Sequence, residues 1–80
     1  MKIYRNSRLT KDDVVLLIKK VIMNGSIPIN KMIREKFIGT IFLGFNNRPM
    51  YTTRLGNTGE IHNLQKSVLI ELYNLIDGKE

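Results

Sequence analysis

The spacing of apolar residues along this 80-residue chain changes character several times, and each change marks an element. Residues 14–23 read Val-Val-Leu-Leu-Ile-Lys-Lys-Val-Ile-Met, apolar at every position but two. At about 100° per residue such a run covers well over half the circumference of a helix. Thr10-Lys11-Asp12-Asp13 precedes it, so Thr10 can cap, Asp13 can answer from the third position, and two acids sit at the positive end of the dipole. Asn24-Gly25 is the matching stop. The β-branched residues would also suit a strand, but the caps decide for helix. So broad an apolar girdle predicts burial on more than one side, by the rest of the domain or by a second copy of the chain.

Pro28 disfavours helix at the residue before it, so 26–29 is expected to be extended or turn-like. Ile29, Met32, Ile33 and Phe37 then recur at helical spacing, which predicts a short second helix over 30–36 with Lys31, Arg34 and Lys36 off the stripe. Residues 37–45 are rich in aromatic and β-branched side chains, 46–49 (Asn-Asn-Arg-Pro) is turn chemistry, and 50–55 follows as a second strand. The hairpin so formed carries Arg48 at its tip. Residues 56–59 make another turn. From Ile61 the period is helical again, with Ile61, Leu64, Val68, Leu72, Leu75 and Ile76 on one face, Leu69 at its edge, Ile70 and Tyr73 outside it, and Gly78 as the stop.

These elements predict one small two-layer α+β domain over residues 1–80: helix, short helix, β-hairpin, helix, with the helices on one face of an antiparallel sheet. Two strands alone are marginal, so a third is expected, from residues 2–5 or from a partner chain.

Apolar residues at 42% and charged residues at 25% belong to a globular chain. Cysteine is absent, so no disulfide staples the domain. Secreted domains of this size usually need such staples, which makes a cytoplasmic location the expectation. The charged N-terminal residues lead into no apolar run, so no signal peptide is expected. The longest apolar run, 14–18, falls far short of the ~20 residues that span a bilayer.

The side chains offer little for catalysis. His62 is the single histidine, and without cysteine a tetrahedral zinc site would have to draw on seven acids, mostly at helix ends. Ser7, Ser26 and Ser67 have no evident base. Asp12 and Asp13, as helix neighbours, point about 100° apart, and capping accounts for both. Gly56-Asn57-Thr58-Gly59-Glu60 lacks the lysine of a phosphate-cradling loop. No enzyme, metal or cofactor is expected.

Charge carries more. Residues 1–40 hold nine Lys/Arg against three acids, whereas 41–80 hold four of each, so the net +6 belongs to the first half. An excess of this kind favours anionic partners. Arg5 and Arg8 as an N-terminal arm, with Lys11, Lys31, Arg34, Lys36, Arg48 and Arg54, are the candidate phosphate contacts. Tyr51, beside Arg54, is the candidate for base stacking, while Phe37, Phe42 and Phe45 read as core. A helix-turn-helix around Gly25 is excluded, because its inter-helix positions fall on Lys20, Asn24, Ser26, Lys31 and Arg34, all polar. The 46–49 tip can also be set against a minor groove, with Arg48 as reader and Pro49 as wedge, though a plain turn explains it as well.

Two functional expectations follow. The first is a non-catalytic, regulatory DNA- or RNA-binding protein with one basic face. The second is a module that meets an acidic protein surface and inhibits or adapts a larger enzyme of nucleic-acid metabolism. A homodimer is expected in either case, from the apolar girdle of the first helix and from Ile70 and Tyr73.

Overall fold

Thr10 and Asp13 cap the first helix reciprocally in the computed structural model, which describes residues 3–4 and 8–77. The Asp13 N–H donates to Thr10 Oγ1 at 3.1 Å, and the Thr10 N–H donates to Asp13 Oδ2 at 3.0 Å. Bonding to the Thr10 backbone, aided by the Thr10 hydroxyl, holds the Asp13 carboxyl below its ordinary value of 3.8. Helix α1 runs Lys11–Ile22 and buries Val14, Ile18 and Ile22 at four-residue spacing. Val15, Leu17 and Val21 are half-buried, but Leu16 and Met23 stay exposed. The apolar girdle is therefore covered on most of its circumference and left open along one line.

Four strands follow: β1 (Ile27–Ile33), β2 (Lys36–Leu43), β3 (Pro49–Thr52) and β4 (Thr58–Glu60), paired antiparallel in chain order. Short 3₁₀ turns occupy Phe45–Asn47 and Ile61–Asn63, and helix α2 spans Lys66–Asp77. Both helices lie on one face of the sheet, α1 over β2 and β3 and α2 over β1, and they pack against each other. The molecule is thus a two-layer α+β domain. Neither twelve-residue helix is long and apolar enough to cross a membrane.

The segment expected as a short helix over 30–36 is instead the end of a strand and a two-residue turn. Arg34 and Glu35 take φ of 47° and 70°, the left-handed pair whose twist matches that of the flanking strands. Asn30 also has positive φ, and the register of β1 against β2 slips between Pro28 and Lys31. One extra residue at that bulge breaks the two-residue alternation and produces a spacing that imitates a helix. Pro28 is tolerated because β1 is the sheet's edge strand. The strands added to the expected hairpin, which is β2 with β3, thus come from 27–33 and 58–60. Ile3 and Tyr4 join no strand, and Lys2 and Arg5, the rest of the expected N-terminal strand, lie outside the described residues, as does Gly78.

Ile3 is instead buried against α2. Its N–H donates to Asn74 Oδ1 at 2.8 Å, and Asn74 Nδ2 donates to the Ile3 carbonyl at 2.6 Å. Ile3 thereby joins the same hydrophobic core as Ile70 and Tyr73. Ile70 and Tyr73, expected outside the buried stripe, are in the core, whereas Leu75, expected within it, is exposed. Burial, with Asp77 accepting from the Tyr73 hydroxyl at 2.8 Å, pushes the Tyr73 phenol up from 10.0.

Ile38 and Ile41 are both fully buried although three residues apart, so β2 does not keep strict alternation through Gly39-Thr40. A Cβ on Gly39 would collide with Thr52 Oγ1, which accepts the Thr40 N–H at 2.8 Å and is not at liberty to move aside. Gly39→Ala should cost about 1–3 kcal/mol, from overpacking and the strained hydrogen bond, while Ser26→Ala in an exposed loop should cost little. Urea unfolding of both checks this: an unshifted midpoint for Gly39→Ala removes the close approach. Asp13→Ala should lower the thermal midpoint at neutral pH. Because the folded-state pKa lies below the unfolded 3.8, the carboxylate's contribution is present above that value and is lost as pH falls through the folded one. The deficit should therefore shrink below about pH 4, and a deficit independent of pH would count against the capping bond.

Candidate functional site

Strand register divides the sheet's side chains between two faces. Ile41, Tyr51 and Gly59 form one cross-strand row, and the burial of Ile41 and Tyr51 places it under the helices. Phe42, Met50 and Glu60 form the next row and therefore lie on the face the helices leave uncovered, where all three are half-exposed. Met32 pairs with Phe37 on that same open face, because the neighbouring Ile33 is buried on the other. Along β3, Thr52 shares Met50's side, and Arg48, just before β3, reaches Glu60 on that side. The open face thus holds Met32, Phe37, Phe42 and Met50, with arginines at its two ends.

Arg54 lies with its guanidinium carbon 4.3 Å from the centroid of the Phe37 ring, and its Nη2 contacts Met32 Sδ at 3.8 Å. Stacking on an aromatic face holds the planar cation flat and leaves its edges open to an acceptor. At the far end of β3, Arg48 Nη1 donates to Glu60 Oε2 at 3.0 Å, with the arginine side chain 62% exposed. An exposed pair of this kind contributes only about 0–1 kcal/mol, so it orients Arg48 without withdrawing it from other anions.

The other expected contacts lie elsewhere. Arg34, in the β1–β2 turn, is bonded to Glu71 of α2 at 3.0 Å. Lys36 places its Nζ 5.6 Å above the Tyr51 ring, on the helix side. Lys31 is exposed on the edge strand and lines a shallow groove with Leu75 and Ile76 of α2. Arg8 is exposed ahead of α1, and Arg5 lies outside the described residues. The single basic face expected from the sequence is therefore a distribution: two arginines on the open sheet face, and the remaining cations around the turn, the edge strand and α1.

Tyr51, the expected stacking residue, is buried. At 6% exposure its ring belongs to the core, with the space over Gly59 filled by it. Phe37 and Phe42, expected as core, are the rings on the open face, and Phe45 is exposed in the turn after β2. Two-residue alternation sets residues 37 and 42 on opposite faces, and it is the break at Gly39-Thr40 that brings them to one. Their aromatic character was visible; their face was not.

His62 lies in the second 3₁₀ turn, its Nδ1 3.3 Å from Asp12 Oδ1, with both side chains exposed. Among the described residues no group of three or more His, Asp or Glu is placed to hold a metal ion. Comparison of the chain with protein-family models, curated proteins and solved structures gives no match.

Tetranitromethane should nitrate Tyr4, whose side chain is largely exposed, well before Tyr51 and Tyr73, both buried. Peptide mapping that finds Tyr51 modified as fast as Tyr4 would reverse the two faces of the sheet.

Proposed function

We propose that the protein is a non-catalytic nucleic-acid-binding protein that uses the open face of its sheet. The observation carrying this reading is the Arg54 guanidinium stacked on Phe37, on a face that also presents Phe42 and ends in Arg48. The half-exposed Phe42 ring and the Arg54 guanidinium lying over Phe37 offer flat surfaces on which bases can stack, and arginines at both ends of the face can neutralise the phosphates between them. Phe37 and Phe42 are five residues apart, roughly 16 Å along a strand at about 3.3 Å per residue, a span suited to an unstacked strand of a few nucleotides. Duplex DNA keeps its bases inside, out of reach of a sheet surface of this shape. Single-stranded DNA or RNA is thus the preferred form. The net charge of +6 adds long-range attraction for any polyanion. A regulatory role in the cytoplasm, alongside such nucleic acid, completes the reading.

Fluorescence anisotropy with labelled single-stranded and duplex oligonucleotides tests it. Affinity for the single strand should exceed that for duplex and fall steeply with salt. Arg48→Ala together with Arg54→Ala should flatten the salt slope by about 1.4, at roughly 0.7 per phosphate released from a single strand. Phe37→Leu and Phe42→Leu should each weaken binding by about 1–3 kcal/mol while leaving the slope unchanged. Equal affinity for duplex, or a slope indifferent to both arginines, removes the sheet face from this role.

A further inference from the structure

On the helix side, away from the open sheet face, an apolar groove runs between the second half of α1 and the end of β2. Leu16, Met23 and Leu43 form its floor and Lys19, Lys20 and Asn47 its rim, around a volume of about 460 Å³. Leu16 and Met23 are 51% and 64% exposed, whereas most other apolar side chains of α1 are wholly or partly covered. Phe45 is more exposed still, in the turn that joins Leu43 to Asn47. No carboxylate among the described residues lies within ion-pair distance of Lys19 or Lys20.

We propose that this groove docks an acidic amphipathic segment of a partner protein. Its apolar side chains would seat on Leu16, Met23 and Leu43, and its carboxylates would pair with Lys19 and Lys20. Apolar surface rimmed by charge of one sign selects a ligand bearing both features in the opposite sense. Lysines in the last turn of α1 also suit the helix dipole, which accounts for their charge but not for the apolar floor beside them. A second copy of the chain fits poorly. Two-fold packing sets a patch against itself, bringing Lys19 and Lys20 of both copies together. A nucleic acid fits poorly too, because the groove's lining includes no aromatic ring on which a base would stack. This surface is independent of the sheet face, so either can stand without the other.

The test uses the full chain, isotope-labelled for NMR. The probe is a synthetic helical peptide with leucine and phenylalanine along one face and glutamate along the other; its control replaces every glutamate by glutamine. The glutamate peptide should shift the amide signals of Leu16, Lys20, Met23, Leu43 and Asn47 and leave those of Phe37 and Arg54 unmoved. The glutamine control, and the double variant Lys19→Glu, Lys20→Glu, should each bind roughly tenfold more weakly or worse, as expected when opposite charges are lost or like charges apposed. Met23→Ser, at an exposed position that spares the fold, should weaken binding without altering the free protein's spectrum elsewhere. Four outcomes overturn the proposal: no shifts at the groove, equal binding of the glutamine control, displacement of the peptide by a single-stranded oligonucleotide that shifts the same residues, or concentration-dependent shifts there without peptide. The last would assign the groove to self-association. An Arg48→Ala, Arg54→Ala variant that loses oligonucleotide but keeps peptide separates this surface from the sheet face.

Discussion

The close approach of β2 to β3 at Gly39 sets the rest of this molecule. Thr52 occupies the space where a side chain on residue 39 would stand, and its hydroxyl accepts the Thr40 N–H. Around that contact β2 loses its alternation, so that Ile38 and Ile41 both turn to the helices. Phe37 and Phe42, each next to one of them in sequence, are sent together to the opposite side. The bulge at Asn30 in β1 sits beside the same stretch, between the pairs Pro28–Thr40 and Lys31–Ile38. A sheet that kept perfect register here would bury one of the two rings and expose an isoleucine.

A core built on one face has a second consequence. Its buried members are aliphatic or aromatic without exception, and no polar or charged residue among those described is buried with them. Stability therefore rests on area removed from water and on packing, both spent on the helix side. The polar contacts that remain fix position more than they stabilise. Arg34–Glu71 ties the β1–β2 turn to α2, and both side chains are more than a third exposed, so the pair contributes little beyond orientation. The Asn74 amide does more, because it satisfies both backbone groups of Ile3 and thereby holds the buried Ile3 side chain in the same core as Ile70 and Tyr73.

The elements legible in the sequence are those fixed by local chemistry. Thr10 with Asp13 marks the start of α1, the 46–49 turn separates two strands, and the helical period after Ile61 belongs to a terminal helix, though a 3₁₀ turn precedes it. What escaped sequence reasoning depends on partners distant in the chain. A bulged strand and a short helix both bring apolar residues back at three to four positions, and only pairing with β2 distinguishes them for 30–36. The exposure of Tyr51 against that of Phe42 is a matter of register between β2 and β3, where one step changes the face. Ile70 and Tyr73 look superfluous from the stripe alone, yet both belong to the one core cluster that also holds Ile3, some seventy residues earlier. Charge was legible as a total but not as a shape, since the described cations of the first half are spread over the stretch before α1, α1 itself, the edge strand, the β1–β2 turn and the start of β2.

Separation of the two exposed apolar regions matters for how the surface can work. Phe37 and Phe42 look away from the helices, while Leu16 and Met23 lie on α1, so a ligand on one leaves the other open. Both regions combine apolar contact with positive charge, but of different kinds. On the sheet the cation is a guanidinium stacked on a ring, a flat surface suited to bases and phosphates. Beside the groove the cations are lysine ammonium groups, point charges on flexible stems around aliphatic side chains, suited to carboxylates that arrive on a peptide. On the two proposals above, one net charge would draw two classes of anion toward the molecule, and the side chains beneath each patch would decide which of them is retained.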